Sequence, residues 1–178
     1  HARTALDSWA DLLRNPQWTG IVTLDPPRRV TSQDEPLWCT DASSTGIGGF
    51  CPSQKLYFTA HVPEHAQVLH INLLELLAVR VGLAVFSSPG SSILAGCDNQ
   101  SAISWFNRGG CSTNIANATS VNAICRDINR RLMDSHCSMY LAYITTSANV
   151  KADAASRHDL SHLEGLTRVP IPSDAWTF

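Results

Sequence analysis

The stretch Trp38-Cys39-Thr40-Asp41-Ala42-Ser43-Ser44-Thr45-Gly46-Ile47-Gly48-Gly49-Phe50 decides how the rest of the sequence is interpreted. Its first part has the apolar character of a short strand that ends in a single carboxylate, Asp41. Small and polar residues then predict a turn, and a second strand follows, in which the glycines indicate a bend or a close approach of another backbone. The stretch therefore predicts two adjacent strands with Asp41 at the end of the first.

The remaining pattern predicts one α/β domain. A third strand at 55–62 completes a meander, and short apolar strands then alternate with helices. A meander followed by strand–helix alternation is typical of a mixed sheet with helices packed on it. The elements predicted after the meander are a helix at 72–87, a strand at 92–98, helices at 100–107 and 115–134, a strand at 138–145 and a helix at 150–157.

Segments of different character flank this domain. Residues 1–36 begin with a helical apolar pattern that Asn15-Pro16 ends, and a Pro26-Pro27 pair opens a polar run, so we expect an N-terminal helix and a connection or linker. Residues 37–158 are predicted to form the folded domain. Residues 159–178 have no hydrophobic periodicity and are predicted to form a C-terminal tail. Because the sequence begins without a methionine, we expect it to be a processed piece of a longer polypeptide.

Composition limits the classes of function. The formal charge is −2, from 13 Lys and Arg against 15 Asp and Glu, so nucleic-acid binding would have to use local patches or bound metal ions. The six cysteines form no CxxC pattern and no Cys/His cluster that would suggest a zinc site. We expect them to be reduced thiols rather than disulfides, in an intracellular protein of the cytoplasm or nucleus. No apolar run reaches membrane-spanning length and no signal peptide is visible, so no membrane partner is expected. Gly-rich phosphate loops and the GxSxG and HExxH motifs are also absent from the sequence.

Four acidic residues lie at the edges of predicted apolar elements. Asp41 and Asp98 end strands, and in mixed and parallel sheets ligands gather at the carboxyl ends of strands. Glu75 lies in a helix that is apolar almost all round, where a carboxylate is costly unless it is paired, hydrogen bonded or metal bound. Asp153 lies in the last predicted helix. Carboxylate oxygens are the ligands that Mg²⁺ and Mn²⁺ prefer, so a metal-dependent nuclease follows if the four converge.

Each carboxylate also has an ordinary structural interpretation. Asp41 and Asp98 can cap the turn or helix that follows them. Glu75 can complete a capping box with Asn72 at the N-cap, and Asp153 can complement the dipole of a short helix. The metal-site hypothesis therefore depends on the carboxylates meeting in one place.

At these residues the sequence resembles the ribonuclease H-like superfamily, in particular the ribonuclease H domain that follows reverse transcriptase in retroelements. Thr40-Asp41-Ala42-Ser43, followed by Gly46-Ile47-Gly48-Gly49, resembles the first-strand motif. His70-Ile71-Asn72-Leu73-Leu74-Glu75-Leu76 resembles the helix motif of the tyrosine-recombinase (DIRS-like) retrotransposons, and Cys97-Asp98-Asn99 resembles their third acidic motif. Residues 149–157 resemble the closing signature Asn-x-x-Ala-Asp-x-x-Ser-Arg, which is also similar to that of hepadnaviral polymerases.

The resemblance implies a five-stranded mixed sheet, its first three strands antiparallel, flanked by helices. It also implies hydrolysis of the RNA strand of RNA–DNA hybrids, with the reverse transcriptase domain of the same polyprotein as a partner. The implied catalytic residues, which would bind two Mg²⁺ ions that Mn²⁺ can replace, with the first residue bridging both, are Asp41, Glu75, Asp98 and Asp153. Two alternatives remain open: an inactive domain of this fold that binds nucleic acid or protein, and a DNA-cutting relative of the integrase or resolvase type.

Contacts to the hybrid are harder to assign. Many cellular relatives carry a histidine shortly before the last aspartate, whereas residues 145–151 contain none, and no basic protrusion like that of some bacterial relatives is visible. The ordinary interpretation of cations on the predicted helices is a solvated helix face. The candidate nucleic-acid contacts are Ser43, Asn99, Arg126, Arg130 and Lys151.

Overall fold

The computed structural model describes residues 35–112, 114 and 117–177, together with positions 10 and 14. The predicted N-terminal helix and linker at 1–36 therefore lie almost entirely outside the described residues. The strands are β1 Trp38–Ala42, β2 Gly46–Cys51, β3 Leu56–His61, β4 Ser92–Cys97, β5 Ser138–Tyr143 and β6 Thr167–Arg168. The α-helices are α1 Ile71–Phe86, α2 Gln100–Asn107, α3 Ala118–Asp134 and α4 Val150–Ser156.

The sheet has the order β5-β4-β1-β2-β3-β6. The first three strands pair antiparallel, whereas β4 is parallel to β1 and β5 is parallel to β4, so the predicted mixed α/β sheet is confirmed. The prediction of five strands is wrong, because β6 pairs in parallel with β3 as a sixth. A strand of two residues has no alternation of polar and apolar side chains that a sequence pattern can reveal.

Helix α1 packs on one face of the sheet. Its 16 residues are mostly apolar and buried, and among the described helices none is long and apolar enough to cross a membrane. Gly82 lies so close to β1 that an added Cβ would come within 2.8 Å of Trp38 and 2.9 Å of Thr40. The helix begins at Ile71, and the His70 side chain accepts a hydrogen bond from the Asn72 amide. His70 is therefore the N-cap, and the alternative capping box with Asn72 at that position is wrong.

Helix α4 packs on the opposite face. Side chains alternate along a strand, so Asp41 points away from the face on which α1 contacts Thr40, and it meets Ser156 of α4 instead. A Cβ at Gly48 would lie 2.3 Å from the Ser156 amide nitrogen, and Thr59 donates to the Ala155 carbonyl at 2.6 Å. The close backbone approach predicted from the glycines of β2 is thus confirmed.

Residues beyond α4 pack on the helices and the sheet edge. The buried Arg80 guanidinium donates to the carbonyl oxygens of Asp174 and Ala175 at 2.9 and 3.0 Å. It also pairs with Asp127 of α3 at 2.5 Å, and Asp127 accepts from Arg131 as well. This charged network joins α1, α3 and the C-terminal residues, and Ala175 is almost fully buried beside it.

Candidate metal-binding site

Parallel pairing of β1 and β4 brings two of the predicted carboxylates to the same edge of the sheet. Cys39 is opposite Gly96, so Asp41 and Asp98 follow at equivalent positions two residues further along each chain. Glu75 lies in the second turn of α1 and approaches the same edge, where it accepts a hydrogen bond from the Ala42 backbone. Asp41 and Glu75 are each only 4% exposed. Three of the four predicted acidic residues therefore meet at the carboxyl ends of two adjacent strands.

Burial and mutual repulsion perturb this cluster strongly. Burial, followed by the charges of Asp41 and Asp98, raises the pKa of Glu75 to about 9. Burial also raises the pKa of Asp41 to about 6, and the charges of Asp98 and Asp153 add to it. A carboxylate whose pKa is raised in this way is held in an environment that lacks a compensating cation. Ionising all of these carboxylates together is thus unfavourable without a cation, and a divalent ion would relieve the repulsion between them.

Cys97 adds a thiol to the cluster. One ligand atom each from Glu75, Cys97 and Asp98 lies within 4.8 Å of the other two, and the Cys97 sulfur is 3.8 Å from a Glu75 carboxylate oxygen. Burial and then the Glu75 charge raise the pKa of Cys97 far above its usual range, so the group stays a neutral thiol. In the absence of a metal the charged donors are therefore carboxylates, whose oxygens are ligands that hard ions such as Mg²⁺ and Mn²⁺ prefer.

Asp153 occupies the rim of the site. It lies on α4, its side chain is 31% exposed, and Arg157 donates to it at 2.7 Å. Its charge contributes to the raised pKa of Asp41, so the two carboxylates are electrostatic neighbours. Among the described residues, the group whose ligand atoms lie within 4.8 Å of one another includes neither Asp153 nor Asp41. The structure thus groups Glu75 with Asp98, and the charges of Asp41 and Asp153 act on the same cluster.

Two buried side chains hold Asp41 and α4 in place, and the sequence did not predict either of them as a site residue. The fully buried Ser156 hydroxyl donates to a carboxylate oxygen of Asp41 at 2.5 Å, and this bond partly offsets the rise in the pKa of Asp41. Asn149, 1% exposed, donates to the Thr40 carbonyl at 3.0 Å and ties the start of α4 to β1. Because Ser156 follows Asp153 by three residues, helical spacing alone would have placed them on one face.

The loop before α4 also reaches the cluster. Thr146 lies in a short 3₁₀-helix, Thr146–Ala148, and its hydroxyl donates to Asp98 at 2.8 Å. This exposed hydroxyl lies in the segment 145–151, which contains no histidine. The threonine was not identified from the sequence, because no pattern marks which loop residue faces a distant strand end.

The candidate nucleic-acid contacts have different environments. Ser43 is buried and donates to the Ser156 carbonyl at 2.8 Å. Asn99 caps α2 through the Ala102 amide and donates to Asn72 at 2.9 Å. The three cations are exposed: Arg130 pairs with Asp127, the Lys151 ammonium lies 4.6 Å from the centre of the Phe50 ring, and Arg126 forms no salt bridge among the described residues.

Comparison with solved structures identifies the architecture. The structure superposes on the crystal structure of RNase H1 from the halophilic archaeon Halobacterium salinarum NRC-1 with a TM-score of 0.53, covering 69% of this chain and 95% of that one. The chain has a ribonuclease H-like fold. Sequence identity to that enzyme is 14%, so the likeness concerns the fold alone. No protein-family model matches the chain, and no curated protein sequence matches it.

Within the ribonuclease H-like fold, the chemistry must be argued from the side chains of this chain. The site offers several carboxylates from four different elements, two of them buried, and a neutral thiol. Such a donor set fits one or two divalent ions bound through oxygen. The arrangement is thus chemically suited to reactions in which such ions assist the transfer of a phosphoryl group.

Proposed function

We propose that the protein is a metal-dependent endonuclease that hydrolyses the RNA strand of RNA–DNA hybrids. The observation that carries the proposal is the meeting of Asp41, Glu75 and Asp98 at the carboxyl ends of β1 and β4 in a ribonuclease H-like fold. Burying carboxylates side by side is unfavourable for the fold unless a ligand neutralises them. A purely structural role, such as capping, does not require this repulsion.

The residues of the site have distinct roles in this proposal. Asp41, Glu75, Asp98 and Asp153 would hold the ions, Mg²⁺ with Mn²⁺ as a substitute. When bound, the ions would activate the attacking water and stabilise negative charge on the leaving oxygen. Ser156 orients the Asp41 carboxylate, and Thr146 orients that of Asp98. Both hydroxyls leave the other carboxylate oxygen of their partner available as a ligand.

The biological setting that we propose is a retroelement polyprotein, with its reverse transcriptase domain as a partner. The support is the resemblance of the stretches at 40–49, 70–76, 97–99 and 149–157 to motifs of DIRS-like elements. Two of those stretches supply buried groups whose contacts join β1 to α4, from Asn149 to Thr40 and from Ser156 to Asp41. Residues 149–157, the closing signature, thus hold α4 beside the carboxylates through these two bonds.

The deciding experiment is cleavage of an end-labelled RNA–DNA hybrid with and without Mg²⁺ or Mn²⁺. We expect metal-dependent cleavage of the RNA strand, reduced in Asp98→Asn on the order of a thousandfold because one ligand charge is lost. Asp134→Asn is the matched control, since Asp134 is an exposed residue at the end of α3 and forms no salt bridge among the described residues. Cleavage that survives Asp98→Asn would refute the assignment of the site. Cleavage of duplex DNA in preference to the hybrid would favour the integrase or resolvase alternative.

A further inference from the structure

The Cys97 thiol lies among the carboxylates of the candidate site, and the proposed nuclease reaction does not use it. Cys97 is the last residue of β4, two residues after Ala95, so the two side chains point to the same face of the sheet. Ala95 is opposite Trp38 of β1, and the Trp38 ring lies close to Gly82 of α1. The Cys97 side chain therefore points to the face that α1 covers, where it is fully buried.

The turn that follows β4 fixes the position of the sulfur atom. The Asn99 amide donates a hydrogen bond to the Cys97 sulfur at 3.4 Å, and the Asn99 side chain caps α2 through the Ala102 amide. A hydrogen bond donated to sulfur favours its charged form, which is the form that binds metals. Such donors also support the thiolate ligands of metal sites. The sulfur is thus positioned as a ligand by the start of α2.

The distances within the cluster match those around a single metal ion. The Cys97 sulfur is 3.8 Å from a Glu75 carboxylate oxygen, and one ligand atom each from Glu75, Cys97 and Asp98 lies within 4.8 Å of the other two. Around a tetrahedral ion with a metal–sulfur distance of about 2.3 Å and a metal–oxygen distance of about 2.1 Å, sulfur and oxygen ligands lie roughly 3.6 Å apart. Cys97 and Glu75 thus need only a small shift to share one ion.

Glu75 supplies a separate indication that the cluster receives a cation. Its side chain is 4% exposed, and within the described ranges it forms no salt bridge with a Lys, Arg or His. It accepts hydrogen bonds from the Cys97 thiol and from the Ala42 backbone, neither of which carries a positive charge. A buried carboxylate without a cationic partner is unfavourable, so an ion bound beside the sulfur would stabilise it.

We infer that Glu75, Cys97 and Asp98 form a site for Zn²⁺, which binds there through one sulfur and two carboxylate oxygens. Zn²⁺ is a borderline soft ion that accepts thiolate and carboxylate ligands together, whereas Mg²⁺ takes oxygen ligands. When the sulfur binds the ion, the S–H bond breaks, its electron pair forms the bond to the metal, and the proton passes to solvent. The zinc ion thus takes the place of the proton that Cys97 donates to Glu75.

The consequence for the proposed nuclease is inhibition by zinc. This consequence rests on the proposed function, whereas zinc binding itself does not. Zn²⁺ and Mg²⁺ would compete for Glu75 and Asp98, so cleavage of a hybrid in Mg²⁺ is expected to fall as Zn²⁺ is added. Cys97→Ser removes the sulfur ligand and is expected to raise the Zn²⁺ concentration needed for the same inhibition by about tenfold or more.

The direct test is titration with Cd²⁺ in the absence of Mg²⁺, because Cd²⁺ is a softer relative of Zn²⁺ whose bond to thiolate sulfur gives an ultraviolet charge-transfer band. Cys97→Ser is expected to lose this band. Calorimetry is expected to show Zn²⁺ binding about tenfold weaker or more in this variant, with a much smaller change for Mg²⁺. Cys137→Ser is the matched control, because Cys137 is a more exposed thiol that contacts the Ser88 carbonyl, near the opposite end of β4.

A Cd²⁺ band and a Zn²⁺ affinity that are unchanged in Cys97→Ser, or a loss of equal size in Cys137→Ser, would overturn the inference. Thermal unfolding of each variant separates loss of the site from loss of the fold. If Cys97→Ser does not fold, Glu75→Gln decides, because it keeps the thiol and removes one carboxylate ligand. Zn²⁺ binding that is unchanged in Glu75→Gln would overturn the inference as well.

These outcomes are distinct from failure of the nuclease itself. Cleavage in Mg²⁺ by a protein that gives no Cd²⁺ band dependent on Cys97 would leave the nuclease standing and refute the zinc site. A band that depends on Cys97 in a protein that cleaves no hybrid would support the zinc site and refute the nuclease.

Discussion

Replacing Ser156 with alanine tests how α4 controls the central carboxylate. In the structure the fully buried Ser156 hydroxyl donates to Asp41, whose pKa burial raises to about 6. A hydrogen bond to a charged group contributes about 1.5–3 kcal/mol, equivalent to roughly one to two pKa units at 1.36 kcal/mol each. Because this bond favours the charged form, its loss raises the pKa of Asp41 further. Asp41 would change from mostly ionised to largely protonated at pH 7.

The consequence is a pH-dependent loss of metal affinity. Where a proton occupies Asp41, a divalent ion must displace it, so Ser156→Ala is expected to bind Mg²⁺ roughly three- to tenfold more weakly at pH 7. The difference is expected to shrink as the pH approaches 9, where Asp41 is ionised in both proteins. Isothermal titration calorimetry at pH 6, 7, 8 and 9 measures both quantities, and thermal unfolding of the same samples reports any loss of folding.

Ser161→Ala is the matched control, because the Ser161 hydroxyl bonds only the exposed Asp159 nearby. It is expected to bind Mg²⁺ like the unmodified protein at every pH. Equal Mg²⁺ affinity of Ser156→Ala and the unmodified protein at pH 7 would refute the reasoning. A loss of the same size at pH 7 and pH 9 would also refute it, since it would assign Ser156 a packing role without control of the Asp41 charge.

Two further predictions concern stability. Burial raises the pKa of Glu75 from 4.5 to about 9, so the folded protein binds more protons than the unfolded chain between these values, and stability without metal should fall as the pH rises through that interval. Glu75→Gln should remove much of this dependence and raise the melting temperature at pH 8 by several degrees, whereas an unchanged pH dependence in differential scanning calorimetry would contradict it. Gly48→Ala should lower the free energy of unfolding by about 1–3 kcal/mol, because the added Cβ would overlap the Ser156 amide of α4. Urea denaturation measures this loss, and a variant as stable as the unmodified protein would show that α4 moves away without cost.

The sequence was sufficient to predict those features of the fold and of the candidate site that depend on local patterns of residues. Apolar runs that end in Asp41 and Asp98 predicted strand ends, and the parallel pairing of those strands then brought the two carboxylates to one edge. The apolar character of α1 likewise predicted that Glu75 is buried. The glycines of β2 predicted a close backbone approach, although not which element makes it.

Other features depend on packing between distant parts of the chain. The bond from Ser156 to Asp41 joins residues 115 apart, and the pairing of β6 with β3 involves a strand of two residues. His70 replaces Asn72 as the N-cap of α1 because the imidazole accepts the Asn72 amide, which residue preferences for caps do not predict.

The position of α4 has a consequence for the order in which the site assembles. Its two ties to β1, from Asn149 to Thr40 and from Ser156 to Asp41, close loops of 109 and 115 residues. Closing a loop of that length costs chain entropy, and only the contacts of the assembled sheet offset this cost. These bonds therefore form together with the complete sheet and not before it. A nascent chain that has reached only β4 or β5 holds Asp41 without the hydroxyl that orients it. The proposed metal site is therefore completed in the last steps of folding, when the mutually repelling carboxylates are already held by the assembled sheet.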